Sequence, residues 1–187
     1  MFRKILLGLA AALLVFAGVA AMQPSSFEVS RSALVRAPAD VVYRHIESLR
    51  AMDVWSPYAH MDPQMKLAYD GPESGVGARS SWEGPQMGTG SLTVTRAVPD
   101  REVEMSLDMR TPMEAHNRIL FTLVPKDGAT EVTWRMQGRN GFLGKAISLF
   151  VPMDRMVGGQ FEEGLASLQK VAENDAVALA GDRASSR

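Results

Sequence analysis

The chain reads as an α+β domain: a curved antiparallel sheet faced by one long helix near the C-terminus, with an apolar segment in front of the whole. Three observations predict this. From Pro152 to Ala172, Met156, Val157, Phe161, Leu165, Leu168 and Val171 recur at spacings of three and four, opposite Asp154, Arg155, Glu162, Glu163, Gln169 and Lys170. That is the pattern of a helix with a single apolar stripe, which needs a broad apolar surface to lie against. Between Leu92 and Met136 the apolar residues alternate instead, in short runs separated by turns, as successive antiparallel strands do. Finally, Ile5 to Met22 carries no charge and follows Arg3 and Lys4.

The elements follow in order. Gln23 to Ser26 is a short polar connector, and Phe27, Val29, Ala33 and Val35 mark a first strand. Asp40 is the expected N-cap of a short helix with Val41, Val42, His45, Ile46 and Leu49 on one stripe, and Pro38 limits its upstream reach. Pro57 and Pro63 interrupt the next stretch, predicting a turn or short second helix packed by Trp55. Met65, Leu67 and Tyr69 form a second strand ending at Asp70-Gly71-Pro72, and Arg79 to Gly84 a third that carries Trp82. After a glycine-bearing hairpin, Leu92, Val94, Arg96 and Val98 share one face of a strand. Val103, Met105, Leu107 and Met109 follow on the next strand, then Ile119, Phe121 and Leu123, then Val132, Trp134 and Met136. Gly138 to Gly144 connects to an apolar, helical segment that includes Phe142, Leu143, Ile147, Leu149, Phe150 and Val151. The expected division is 1–22 as anchor or signal peptide, 23–26 as linker, 27–173 as the folded domain, and 174–187 as a frayed, flexible tail.

Composition narrows the function classes. With 187 residues, 46% hydrophobic and 22% charged, the chain suits one domain with a real core. Lys+Arg 20 against Asp+Glu 21 gives no general nucleic-acid-binding surface. The absence of cysteine excludes disulfides, a thiolate nucleophile and a Cys-based metal site. Twelve methionines against seven phenylalanines suit irregular apolar space or an adaptable binding surface.

The N-terminal segment is long enough to cross a membrane, while Ala17, Gly18, Ala20 and Ala21 would permit signal cleavage near Ala21. Uncleaved, it places Arg3 and Lys4 in the cytoplasm and the domain outside. The favoured reading is a single inner-membrane anchor with a periplasmic or other extracytoplasmic domain. Secretion to the periplasm after cleavage is the alternative.

No catalytic constellation stands out. The serines lack a Gly-x-Ser-x-Gly context, and His45, His60 and His116 lack metal-ligand spacing, so neither metal nor cofactor is expected. Gly71, Gly75, Gly77, Gly84, Gly88 and Gly90 lead into strands, as hairpin and bulge glycines do, and not into the helix that a phosphate loop requires. Acid–base chemistry stays open through Glu83, Asp108, Arg110, Glu114, His116 and Arg118. Alternation, however, sets Asp108 and Arg110 opposite the Met105, Leu107, Met109 face, as solvated or cross-strand residues.

A resemblance sharpens this reading. The runs Ser32-Ala33-Leu34-Val35-Arg36-Ala37-Pro38-Ala39-Asp40-Val41-Val42-Tyr43, Trp55-Ser56-Pro57-Tyr58, Asp62-Pro63-Gln64-Met65, Tyr69-Asp70-Gly71-Pro72, Gly75-Val76-Gly77-Ala78 and Trp82-Glu83-Gly84 resemble the polyketide cyclase/dehydrase and lipid transport family, of the START-like (SRPBCC) superfamily. Thr130 to Gly138 and Met153 to Leu165 extend the likeness, which spans roughly Phe27 to Glu173 and fits a membrane-anchored bacterial branch. The resemblance implies the helix-grip fold: a strand, two small helices, six further antiparallel strands, and a long C-terminal helix held by the sheet around an often hydrophobic cavity. Family members bind lipids, sterols, polyketides or plant hormones, and only some are enzymes. The polar residues with which aromatic cyclases fix a polyketide have no residue-by-residue match here.

Strand period and this fold together nominate Trp82, Leu92, Met105, Leu107, Phe121, Trp134, Phe161 and Leu165 as lining a site for a lipid-like or other apolar small molecule. Gly158, Gly159 and Gly164 would let the helix approach the sheet closely. The competing expectations are a cyclase-like acid–base enzyme on an apolar substrate, and an envelope structural or accessory domain without a ligand.

Overall fold

The computed structural model describes residues 2–150 and 153–185, without the side chains of 142, 143 and 183–185. An apolar helix, α1 (Phe2–Ala21), precedes β1 (Ser26–Val35), α2 (Ala39–Glu47), α3 (Leu49–Trp55) and a single 3₁₀ turn at Pro57–Ala59. Six strands follow: β2 (Lys66–Asp70), β3 (Arg79–Gly84), β4 (Gly88–Val98), β5 (Glu102–Thr111), β6 (Ala115–Lys126) and β7 (Ala129–Arg139). Two helices, α4 (Phe142–Ser148) and α5 (Met153–Ser185), complete the chain. Val151 and Pro152, the expected end of one helical segment and start of the next, lie outside the described residues.

The strands form one antiparallel sheet in the order β1-β7-β6-β5-β4-β3-β2, so the hairpins of β2 to β7 make a meander and β1 joins it through β7. Cross-strand partners share a face, and the register sorts the inner face into rows. One row is Leu67, Trp82, Gly90, Met109 and Ala115; the next is Tyr69, Ser80, Leu92, Leu107, Asn117, Gly138 and Phe27. A third holds Val94, Met105, Ile119, Met136 and Val29, and a fourth Ala97, Val103, Phe121, Trp134 and Arg31. The third and fourth rows supply much of the buried core, together with α2, α3 and α5.

Three local expectations are corrected. Pro38, extended at φ −61° and ψ 152°, occupies the N-cap position of α2, and Asp40 sits inside the first turn without a capping hydrogen bond. A carboxylate there still faces the positive end of the helix dipole. On β4 strict alternation fails, because a bulge between Val94 and Arg96 inserts a residue and turns Ala97, not Arg96 or Val98, toward Val103 on the inner face. Arg96 is left outside, in an ion pair with Glu102 at 2.7 Å.

The third correction concerns the C-terminus. Where the sequence suggested a frayed tail from 174, α5 continues to Ser185. Alanine-rich sequence favours a helix, and Ala176 and Leu179, three apart, pack on the core beside α2. Asp175 meets His45 of α2 at 2.9 Å. Glu173 accepts hydrogen bonds from the Arg36 backbone N–H and the Gln169 amide, fixing the helix to the loop after β1.

Candidate functional site

The sheet's inner face and α5 enclose the expected site, and the structure divides its eight nominated residues into two groups. Met105, Phe121, Trp134, Phe161 and Leu165 are buried together in the core. Trp134 stacks on Phe161 of α5 with ring centroids 4.1 Å apart and lies 5.0 Å from Phe121. Trp55 meets both Phe121 and Trp134 edge-on, and Tyr58 meets Trp134 in the same way. Each well-formed aromatic pair adds about 0.5–1.5 kcal/mol to the burial of its area. Burial also pushes the Tyr58 phenol up to about 12. This part of the grip is therefore filled by protein.

Trp82, Leu92 and Leu107 form the other group. They are half-buried on the first two rows of the inner face, toward the strand ends that lie nearest α1. The helices pack mainly elsewhere: α5 along β1, and α2 against β5, β6 and β7. The Trp82 ring lies over Gly90, where an added Cβ would come within 2.4 Å of it. Next to this row, Asn117 lies over Gly138, with its Oδ1 2.0 Å from where a Cβ would stand. Glycine at 90 and 138 thus makes room on the sheet for an indole and an amide.

The indole N–H of Trp82 and the amide oxygen of Asn117 are buried without a hydrogen-bond partner in the protein, as is the indole N–H of Trp134. An unpaired buried polar group costs about 1–3 kcal/mol, so such groups normally meet a partner, water or ligand included. The donor lies over β4 and the acceptor over β7, on neighbouring rows but three strands apart. Strand alternation identified Trp82. It could not identify Asn117, an asparagine in an alternating run with no local sign of burial.

At the edge of α5, Arg31 shares the row of Trp134 and reaches across to the helix. It donates to both carboxylate oxygens of Asp154, at 2.8 and 3.0 Å, and to Glu162 at 2.6 Å. Those carboxylates raise the guanidinium pKa further, and the hydrogen bond from Arg31 holds Asp154 below its usual range. Gly158 makes the approach possible, since a Cβ there would meet the guanidinium at 2.1 Å. The sequence-level expectation that Gly158 and Gly164 serve close approach matches this geometry; Gly159 faces open space.

Two further concavities border the domain. A cavity of about 260 Å³ between α3, the 3₁₀ turn and α5 is lined by Val54, Trp55, His60, Met61, Gln160 and Glu163, among others, and reaches the aromatic cluster through Trp55. A smaller one, about 90 Å³, lies beside Arg50 and Tyr69. There the Tyr69 hydroxyl donates to Asp53, and the Arg50 guanidinium lies 4.0 Å over the Tyr69 ring. Burial pushes the Asp53 carboxyl up, against the Tyr69 hydrogen bond, and likewise raises the Tyr69 phenol to about 12. A space of that size holds a few waters and no lipid-sized substrate.

The residues considered for acid–base work do not converge. Glu83 is exposed, and His116, its side chain 70% exposed, pairs with Asp108 at 2.6 Å on the outer face. That hydrogen bond raises the His116 pKa, as a cross-strand surface pair does. Arg118 is engaged by Glu104 at 2.6 Å. Among the described residues no group of three or more His, Cys, Asp or Glu could hold a metal.

Comparison with known proteins agrees with this architecture. No curated protein sequence matches the chain. Among solved structures, truncated norcoclaurine synthase from Thalictrum flavum superimposes with a TM-score of 0.61 at 12% identity, over 78% of this chain and 92% of that one. A protein from Mesorhizobium loti gives 0.59 at 12% identity, over 79% and 98%. One from Chromobacterium violaceum gives 0.55 at 15% identity, over 80% and 98%. At such identities the likeness is one of fold, and it is the helix-grip fold. The profile of one family, described as polyketide cyclase/dehydrase and lipid transport, matches residues 26–173, the whole span from β1 to the part of α5 that Glu173 ties down. The chain belongs to that family.

Proposed function

We propose that the domain binds a hydrophobic, lipid-like small molecule on the half-buried first two rows of the inner face, against Trp82, Leu92 and Leu107. The observation that carries this reading is the half-buried apolar surface formed by Trp82, Leu92 and Leu107, flanked by two polar atoms without protein partners, Trp82 Nε1 over β4 and Asn117 Oδ1 over β7. Such a surface suits a molecule that is mostly apolar, because affinity comes from burial and a few polar groups at the margins orient the ligand. Family membership and the helix-grip fold support the same class of ligand. Compared with the eight residues nominated from sequence, this reading puts the ligand at one end of the grip, with the buried row of Val94, Met105 and Ile119 between it and the aromatic cluster.

The binder is proposed as non-enzymatic, since the titratable residues first considered lie on the surface or in surface pairs. Helix α1, twenty residues with an 18-residue stretch of mean hydropathy 2.3, is long and apolar enough to cross a membrane. We propose that it anchors the domain on the extracytoplasmic side, with Arg3 and Lys4 in the cytoplasm.

Native mass spectrometry of the detergent-purified full chain, followed by extraction, tests the binding. A defined apolar molecule should be retained, and Leu107→Trp, which fills the second row, should abolish retention while Leu107→Met preserves it. Retention unchanged in Leu107→Trp, or none across lipid classes, would overturn the assignment.

A further inference from the structure

Helix α4 is short, apolar and not part of the core, yet its position is defined by α1. Phe150, immediately beyond α4, stacks on Phe16 with ring centroids 6.1 Å apart. Lys145 on α4 donates to the Ala21 carbonyl at 3.3 Å, where a cation complements the negative end of the α1 dipole. On the other side Phe150 is 76% exposed, and Ile147 is 39% exposed. Phe16 precedes the end of α1 by five residues, about 7.5 Å along the axis at 1.5 Å per residue. Interfacial helices bury their apolar face to a depth of roughly 5–10 Å. If α1 crosses a bilayer, Phe150 is therefore level with its acyl boundary.

The rest of the same end of the sheet fits. The ends of β1 and β7 meet there, with Ser26 opposite Arg139 and the Asn140 N–H bonded to the Ser25 carbonyl at 2.9 Å. The β5–β6 turn at that end exposes Met113. Lys66, Arg110, Arg139 and Lys145 at these strand ends and on α4 are balanced by Glu28, Asp62, Glu83 and Glu114, so the apolar side chains, and not net charge, mark this end for the bilayer.

We infer that this end of the domain docks on the bilayer itself, with Ile147 and Phe150 inserted beside α1 and the Met113 turn at the headgroup level. The inference rests on the reading of α1 as an anchor. It also means that the first two rows of the inner face lie toward the lipid, because Trp82 and Asn117 are near the same strand ends. The proposed ligand class then narrows to molecules resident in that membrane.

The absence of cysteine makes the test clean. Single variants Ile147→Cys, Phe150→Cys, Met113→Cys and Lys126→Cys of the full chain, the last at the opposite end of the sheet, would carry a nitroxide in vesicles of phosphatidylcholine and phosphatidylglycerol. Power saturation compares collision with oxygen, which concentrates in lipid, and with a water-soluble nickel chelate. Positions 147 and 150 should show an oxygen-to-nickel ratio several-fold above position 126, with 113 between them. A ratio at 147 and 150 equal to that at 126 overturns docking. So does protection of both positions from both reagents, which would mean coverage by a second copy or another protein, and so does recovery of the chain as a soluble form cleaved after Ala21. None of these readouts depends on a bound ligand, so the binding proposal stands or falls separately on retention by Leu107 variants.

Discussion

Trp134 is held on three sides, by Phe121 below, Phe161 of α5 above and Trp55 at its edge, and Gly164 is what lets the helix come that close. A Cβ at 164 would stand 2.7 Å from Trp134 Cζ3 and 3.0 Å from Pro57 Cδ, neither of which can retreat far within a packed cluster. Gly164→Val should therefore destabilise by about 1–3 kcal/mol through overpacking. Phe161→Ala, which leaves a hole on the helix side of the same ring, should cost about 3–5 kcal/mol. Gly159 has nothing within 4 Å, so Gly159→Ala should stabilise by about 0.5–1 kcal/mol, the ordinary helix preference for alanine. Urea denaturation of the three variants checks both signs; equal effects at 159 and 164 would refute close approach at 164. Period and composition made Phe121, Trp134 and Phe161 legible as inward residues. They did not reveal that these side chains meet one another, since that depends on how far α5 lies from β7, a distance set by glycines whose role is visible only in three dimensions.

At the scale of elements, the sheet was legible strand by strand because its alternation is strong, and the departures have local causes. The bulge on β4 left no sequence mark, as Arg96 and Val98 continue a regular pattern. Pro38 began α2 two residues earlier than Asp40 suggested, because proline suits the extended N-cap geometry that it already holds. The largest departure is the second half of α5, where alanines read as tail when counted for bulk and as helix when counted for propensity. Its packing gives a prediction. Deleting 174–187 removes the half-buried Ala176 and Leu179 and the Asp175 contact with His45, and should cost about 1–2 kcal/mol from lost apolar burial. Thermal unfolding of the truncated chain checks this, and an unchanged midpoint would show that the extension contributes nothing to the fold.

For the whole molecule, several long-range ties end on carboxylates. Asp62, itself buried, accepts from the backbone N–H groups of Gln64, Gln86 and Met87, joining the turn before β2 to the β3–β4 hairpin. Burial acts to raise its pKa, but the three donors outweigh burial and lower it. Glu104 is lowered by Arg118, Asp154 by Arg31, and Glu173 by the Arg36 backbone N–H. A carboxylate whose folded pKa is depressed adds stability above its unfolded pKa, roughly 4, and loses it as the pH falls through the folded value. Asp53, raised by burial, acts in the opposite direction. The melting temperature should accordingly be level from about pH 6 to 5 and fall below about 4, less steeply in Asp62→Asn, while the raised His116 adds a little stability as the pH drops from 7. A midpoint constant down to pH 3 would contradict the role given to these ties. None was legible from sequence, because each joins residues that only the finished fold brings together.

The same dependence on distant partners sets an order of events in folding. Glu28 of β1 bonds to Gln137 of β7, 109 residues further along the chain, whereas β2 to β7 pair through successive short turns. Closing the long loop is entropically slow, while the hairpins form locally. A chain that leaves the ribosome or a translocon N-terminus first therefore presents β1 long before its partner exists. Until β7 arrives, that strand has exposed backbone donors and acceptors and an apolar face seeking cover, and this is the interval in which the protein is most open to mispairing and to capture by chaperones.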